Sequence, residues 1–281
     1  MAWQTMIRVM AVVVVLAAGG AARSEQTMKR YARFAVGGRV VYGVVEGERI
    51  RELDGDLFAD PQPTDRTHSP AEVRLLAPTI PTKVFGAAAN FRDPANPPKV
   101  DAKPQLFFKS PASIIGPGEA IVMPADPNAG VLHESEVVAV IGRRCSKVTA
   151  EEAGAYVFGV TVGNDVTASN WNAADVTWWR GKGSDTFGPC GPYIVTGLDY
   201  NNLSTRCSVN GEQKTEGSMT QMVFGIDELV SFISQHMTLE PGDLIYSGAS
   251  GATPAKVGDT VTVEIVGVMR LSNPVAGPAG K

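Results

Sequence analysis

Turn-forming residues constrain this chain more than any other feature. Its 30 glycines and 19 prolines punctuate 281 residues so closely that helices are few. Between the turns lie short apolar or alternating runs that read as strands. Residues 33–45 form a hairpin pattern around Gly37 and Gly38, with apolar residues on both arms. Val261, Val263 and Ile265 alternate with Thr262 and Glu264 after a Gly258-Asp259 turn, the pattern of a half-buried strand. Thr149 with Glu152 makes a capping box for a helix running through Tyr156. Met222, Ile226, Leu229, Val230 and Ile233 recur at helical spacing, so a longer helix is expected over 220–236. Pro241 and Gly242 stop it before a strand at Leu244–Tyr246. The residues after Asn273, rich in Gly, Pro and Ala, are expected to be loose.

With 44% hydrophobic and 19% charged residues, the chain can bury one large core. Its net charge of -4 is spread out, and no basic stripe interleaves with aromatics, which argues against a nucleic-acid partner. At the start, Arg8 precedes an apolar run over 9–18, followed by Gly19, Gly20, Ala21 and Ala22 before Arg23. That layout reads as a signal peptide over 1–22 and implies an exported or periplasmic protein. The run is short for a stable membrane span. Read instead from Met28, the chain is a cytoplasmic protein. Its three cysteines, Cys145, Cys190 and Cys207, cannot all pair and lack metal-type CxxC spacing.

HESEVVAVIG, residues 133–142, carries the chemistry. Five apolar residues over 137–141 read as a strand buried on both faces, with Glu134 and Glu136 at its mouth. Two apart in a strand, these carboxylates share a face, with His133 and Ser135 on the other. They repel unless they face water, share a proton as an acid/base pair, or hold a hard cation. Asp165 follows a second apolar stretch over 156–162, and two Glu with one Asp suit a single Mg2+ or Mn2+. Zinc is disfavoured without a Cys or His cluster. Taken alone, Asp165 reads better as a turn or cap residue after Gly163 than as a ligand. Lys182 lies among glycines in WWRGKGSDTFGP, where it can stabilise developing negative charge or be an ordinary surface lysine. Trp178 and Trp179 read as packing residues.

HESEVVAVIG, GNDVTASNW, KGSDTFGPCGP, the VNGE at 209–212 and TLEPGDLIYSG occur in one order. Together they resemble the fumarylacetoacetate hydrolase family, which includes 2-hydroxyhepta-2,4-diene-1,7-dioate isomerase-like proteins. The resemblance implies an α+β, mainly β fold, a mixed β-sandwich roll with few helices, usually a homodimer. It assigns 79–275 to the catalytic domain and 28–78 to the small N-terminal β domain of many members. It implies one divalent metal on Glu134, Glu136 and Asp165, and a catalytic, substrate-facing Lys182. Members act on small 2-oxo or 1,3-dioxo acids through a metal-stabilised enolate, by C–C hydrolysis, isomerisation or decarboxylation.

The chain departs from the family pattern at three places. The Asn-Tyr-x-x-His-x-x-Glu run of hydrolytic members reads from Asn90 and Phe91 to Pro97, with Pro94 and Pro97 in place of the water-activating His and Glu. The Arg-Asp-x-Gln run reads Ser169-Asn170-Trp171-Asn172, which removes a substrate arginine but leaves Asn172 able to hydrogen-bond as Gln would. The Thr-Gly-Thr-Pro segment reads Ser247-Gly248-Ala249-Ser250, leaving Ser247 and Gly248 as substrate-binding candidates. Arg92 is an alternative source of positive charge, though it reads better as an exposed loop arginine. His68, His133 and His236 have no claim to the general-base role. An enzyme of this family is expected. A degenerate member that only binds metal and small acids, and a structural protein with a solvated carboxylate cluster, are the alternatives.

Overall fold

The computed structural model describes residues 27–93, 95, 99 and 102–278. The signal-peptide expectation over 1–22, and Pro94, Pro97 and Pro98, lie outside the described residues. Among the described residues the fold is mainly β and resolves into a twelve-stranded, a five-stranded and a three-stranded sheet. The large sheet runs from the N-terminal strands Gln62–His68, Arg49–Asp54, Arg39–Glu46 and Lys29–Val36 into Gly188–Thr196, Val157–Asn164 and Ser135–Ile141. Leu244–Tyr246, Val84–Ala88 and Gln105–Lys109 complete that path. The sheet is mixed, because Leu244–Tyr246 pairs in parallel with Val84–Ala88 while the Ser135–Ile141 pairings are antiparallel.

The strand Ser135–Ile141 is buried at every residue. Val137, Ala139 and Ile141 belong to a core shared with Val261, Val263 and Ile265 of the second sheet and with Leu229, Val230 and Ile233 of a helix. Val138 and Val140 point the other way, into a core with Leu244, Tyr246 and Ile194. Alternate residues thus serve two cores, as period-two geometry requires of a strand in mid-sheet. Glu136 has the parity of Val138, so its side chain emerges on the Tyr246 side.

The hairpin around Gly37 and Gly38 forms, with Val36 opposite Arg39 and positive φ at both glycines. The capping box on Thr149 forms too, but its helix is only Ala150–Ala153. The helix expected over 220–236 is shorter, Ile226–Ser234. Asn90 explains the difference: its carbonyl accepts from Val223 N–H at 2.7 Å, and its side-chain oxygen accepts from Phe224 N–H at 3.0 Å. Those donors are thereby held in a loop, and the helix starts at the Glu228 capping interaction with Gly225 N–H. The expectation of a loose tail after Asn273 is wrong for 274–276. That stretch completes the strand Met269–Ala276, with Thr260 opposite Pro274 and Val275 opposite Ile121. No helix among the described residues is long and apolar enough to cross a membrane.

Candidate active site

The chain turns out of register between two short elements, Val131–His133 and Ser135–Ile141, and Glu134 sits at the break. Asn164 fixes this corner. Its side-chain oxygen accepts from Glu134 N–H at 3.0 Å, and Asp165 N–H donates to the Glu134 carbonyl at 2.9 Å. Glu136 lies opposite Gly163, where a Cβ would come within 2.5 Å of the Tyr246 ring. Glycine there lets Tyr246 fill the floor beneath the carboxylates. Ligand atoms of Glu134, Glu136 and Asp165 all fall within 4.8 Å of one another. Glu136 and Asp165 are buried, and the Glu134 side chain is 24% exposed, which makes Glu134 the open side of the cluster.

Two lysines meet these carboxylates. Lys182 is buried, which corrects the surface-lysine alternative. It is carried by the one-turn helix Trp179–Gly183, entered through Trp178 in the left-handed region at φ 58°. Its ammonium donates to Glu134 Oε2 at 2.9 Å and to Asp165 Oδ2, and stands 4.6 Å from the Phe107 ring centroid. Lys109 donates to Asp165 Oδ1 at 2.6 Å and to the Lys182 carbonyl at 2.5 Å. Three carboxylates thus face two ammoniums, leaving one negative charge in excess when all five are ionised.

The electrostatics follow from that imbalance. Burial, then the charges of Asp165 and Glu134, push the Glu136 carboxyl well above its usual range. Burial pushes Asp165 the same way, but Lys109 and Lys182 outweigh it and hold Asp165 below the carboxylate range. For Lys182, burial is outweighed by Asp165 and Glu134, which raise it. Burial lowers Lys109 despite Asp165. Clustered oxygen donors with an uncompensated negative charge fit a hard divalent cation such as Mg2+ or Mn2+.

The other expected residues are placed as follows. Gly248 N–H donates to Glu136 Oε2 at 2.7 Å, from a backbone φ of 101° that favours glycine. Ser247 is buried with its hydroxyl 3.9 Å from the Met219 sulfur, and its carbonyl accepts from the Asn90 amide at 2.8 Å. Asn172 packs on Gly181, beside Lys182, and its side-chain oxygen is buried with no hydrogen-bond partner among the described residues. Arg92 is exposed. His133 is buried, bonded through Nδ1 to the Asn164 amide, and burial lowers it to about 4. Trp178 packs on Phe107, but Trp179 is 69% exposed, against the expectation that both pack. Sequence reasoning missed Lys109, Thr167 and Tyr246. Thr167 Oγ1 donates to Glu134 Oε2 at 2.8 Å.

Residues 83–276 match the family model described as "Fumarylacetoacetate (FAA) hydrolase C-terminal". The chain belongs to the fumarylacetoacetate hydrolase family. Residues 29–78 match a second model, "Rv2993c-like, N-terminal". The crystal structure of 2-hydroxyhepta-2,4-diene-1,7-dioate isomerase from Mycobacterium marinum superposes with a TM-score of 0.83 at 37% identity, over 90% of this chain and all of that one. The mitochondrial oxaloacetate tautomerase FAHD2A of Bos taurus is 39% identical over 196 residues, 67% of this chain and 61% of that protein. Maleylpyruvate hydrolase from Sphingobium sp. SYK-6, in complex with manganese (II) ion and pyruvate, superposes with a TM-score of 0.74 at 26% identity, over 89% of this chain and 99% of that one.

Proposed function

We propose that this family member is an enzyme that isomerises, tautomerises or decarboxylates a small 2-oxo acid, rather than hydrolysing a C–C bond. The observation that carries the proposal is the carboxylate cluster with buried Lys182 in contact with two of its members. Glu134, Glu136 and Asp165 would hold one Mg2+ or Mn2+. When bound, the cation supplies Lewis-acid stabilisation of the enolate charge that develops as a proton or carboxyl group leaves.

The chain's own residues do the rest. Lys182 presents a second positive charge to the developing oxyanion. A single such contact is typically worth roughly 3–4 kcal/mol in the transition state. Gly248 N–H and Thr167 Oγ1 hold Glu136 and Glu134 in orientation. The Asn172 oxygen, unpaired among the described residues, is an acceptor for a substrate hydroxyl or enol. Pro94 and Pro97 stand where hydrolytic members carry the His and Glu that activate water, so that pair is missing from this chain. A catalytic domain at 79–275 with a smaller N-terminal one at 28–78, and a homodimeric assembly, belong to the same proposal. The separate family-model matches support the first of these.

Thermal unfolding with Mn2+ or Mg2+, with and without oxalate, tests the site. Oxalate mimics the planar enolate of a 2-oxo acid. A ligand at a hundredfold excess over its dissociation constant stabilises the folded state by about 2.7 kcal/mol. The expected result is an oxalate shift that requires the cation, with keto–enol exchange of oxaloacetate faster than hydrolysis of maleylpyruvate. A cation shift without an oxalate effect or turnover would favour the degenerate binding protein. No response to either would sink the metal-site reading.

A further inference from the structure

Lys109 has no role in the chemistry described so far, yet it is fully buried at the end of the strand Gln105–Lys109. Its stem passes Gly188, where a Cβ would lie 3.4 Å from the Lys109 Cε, and its ammonium stands 5.8 Å from the Tyr246 ring centroid. Tyr246 in turn donates to the Gly188 carbonyl at 3.2 Å, so the passage is walled on both sides. A lysine enclosed this way reaches neither solvent nor a ligand arriving from the Glu134 side. Among the described residues its hydrogen bonds go to Asp165 Oδ1 and the Lys182 carbonyl.

We infer that Lys109 is a positioning residue, the permanent counter-ion of Asp165 that keeps this carboxylate in place as a metal ligand and frees Lys182 for the substrate. The inference rests on the metal-site reading of the cluster. Each oxygen of Asp165 carries one ammonium, Lys109 on Oδ1 and Lys182 on Oδ2. Were Lys182 the sole partner, turning it toward a substrate would strand a buried charge, which is strongly unfavourable. With Lys109 behind Asp165, Lys182 can leave without that penalty. The hydrogen bond to the Lys182 carbonyl also ties the backbone of the short helix Trp179–Gly183 to the same ammonium. One side chain therefore registers a metal ligand and the catalytic lysine against each other.

The test is Mn2+ affinity of the full chain, read from the electron paramagnetic resonance of free Mn2+, for the parent, Lys109→Met, Lys109→Arg and Lys182→Met. Expected are at least tenfold weaker binding in Lys109→Met, partial recovery in Lys109→Arg, and no weakening in Lys182→Met. Parent-like or tighter binding in a folded Lys109→Met overturns the inference, because a charge acting only by repelling the cation would give that result. Equal weakening in Lys182→Met overturns the division of labour between the lysines. A parent that binds no Mn2+ overturns the metal-site reading itself and this inference with it. If Lys109→Met does not fold, the double variant Lys109→Met/Asp165→Asn decides: recovery of folding confirms the pairing, and failure to recover overturns it.

Discussion

Glu136 is buried among groups that disfavour its charge. Its carboxyl is held above the ordinary value by burial and by Asp165 and Glu134, with Gly248 N–H and Lys182 opposing. A group whose folded pKa is raised gives full stability below its unfolded pKa, near 4.5, and loses it as pH rises through the folded value. At neutral pH the metal-free chain therefore carries the cost of this carboxylate. Glu136→Gln should raise the melting temperature of the EDTA-treated protein at pH 7, by about 2–4 °C per kcal/mol relieved, and should abolish stabilisation by Mn2+. A variant that melts lower than the parent without metal, or keeps its Mn2+ response, contradicts the assignment. Glu134 and Glu136 stood out in the sequence because carboxylates at a buried strand mouth break a local rule, whereas Asp165 and Lys182, which read alone as a turn residue and a surface lysine, were joined to them by the family resemblance. Lys109 did not stand out, since a lysine closing the apolar run of Gln105–Lys109 looks like any strand end. Its partner Asp165 lies 56 residues away, and only the fold brings them together.

Strands and turns were read more reliably than helix lengths. The Ser135–Ile141, Leu244–Tyr246 and Thr260–Ile265 strands follow from local pattern, whereas the start of Ile226–Ser234 depends on Asn90, far away in sequence. The last turn of sheet, around Val275 and Ile121, is a pairing of distant segments that composition cannot announce. Glu52 makes the same point among the N-terminal strands. It is buried on Arg49–Asp54 and accepts from Arg39 of the neighbouring strand at 3.0 Å and from Arg66 of Gln62–His68, with the His68 ring at 2.7 Å. Burial pushes its carboxyl up, but Arg66, His68 and Arg39 outweigh that and hold it below the usual range. A depressed folded pKa gives stability above the unfolded value and loses it as pH falls through the folded one. The contribution should thus begin to fall below about pH 4.5 and be lost as pH drops through the folded value. Glu52→Gln should cost about 1–3 kcal/mol at pH 7, and less at pH 3.5, in urea unfolding. An equal cost at both pH values would show that shape, not charge, holds these strands together.

At the scale of the whole molecule, the two cores meet at the central strands, and the cysteines sample both. Cys145 and Cys207 lie in the core shared with the helix, and Cys190 lies in the Tyr246 core directly opposite Gly163. All three are free thiols and fully buried. Burial raises Cys190 and Cys207 to about 12, so at pH 8 almost none of either is thiolate. The folded protein should therefore leave Ellman's reagent unreacted over minutes at pH 8, and denaturant should expose all three. The slow labelling that persists in native buffer then reports opening of the fold. Mn2+ with oxalate, at a hundredfold excess over the dissociation constant, should slow labelling of Cys190 about a hundredfold if that opening dismantles the carboxylate site. Cys190 neighbours the site through the strand pair Val157–Asn164 and Gly188–Thr196, so a rate unmoved by the ligand would mean this sheet opens while the site stays closed. That result would separate the stability of the sheet from that of the site it carries.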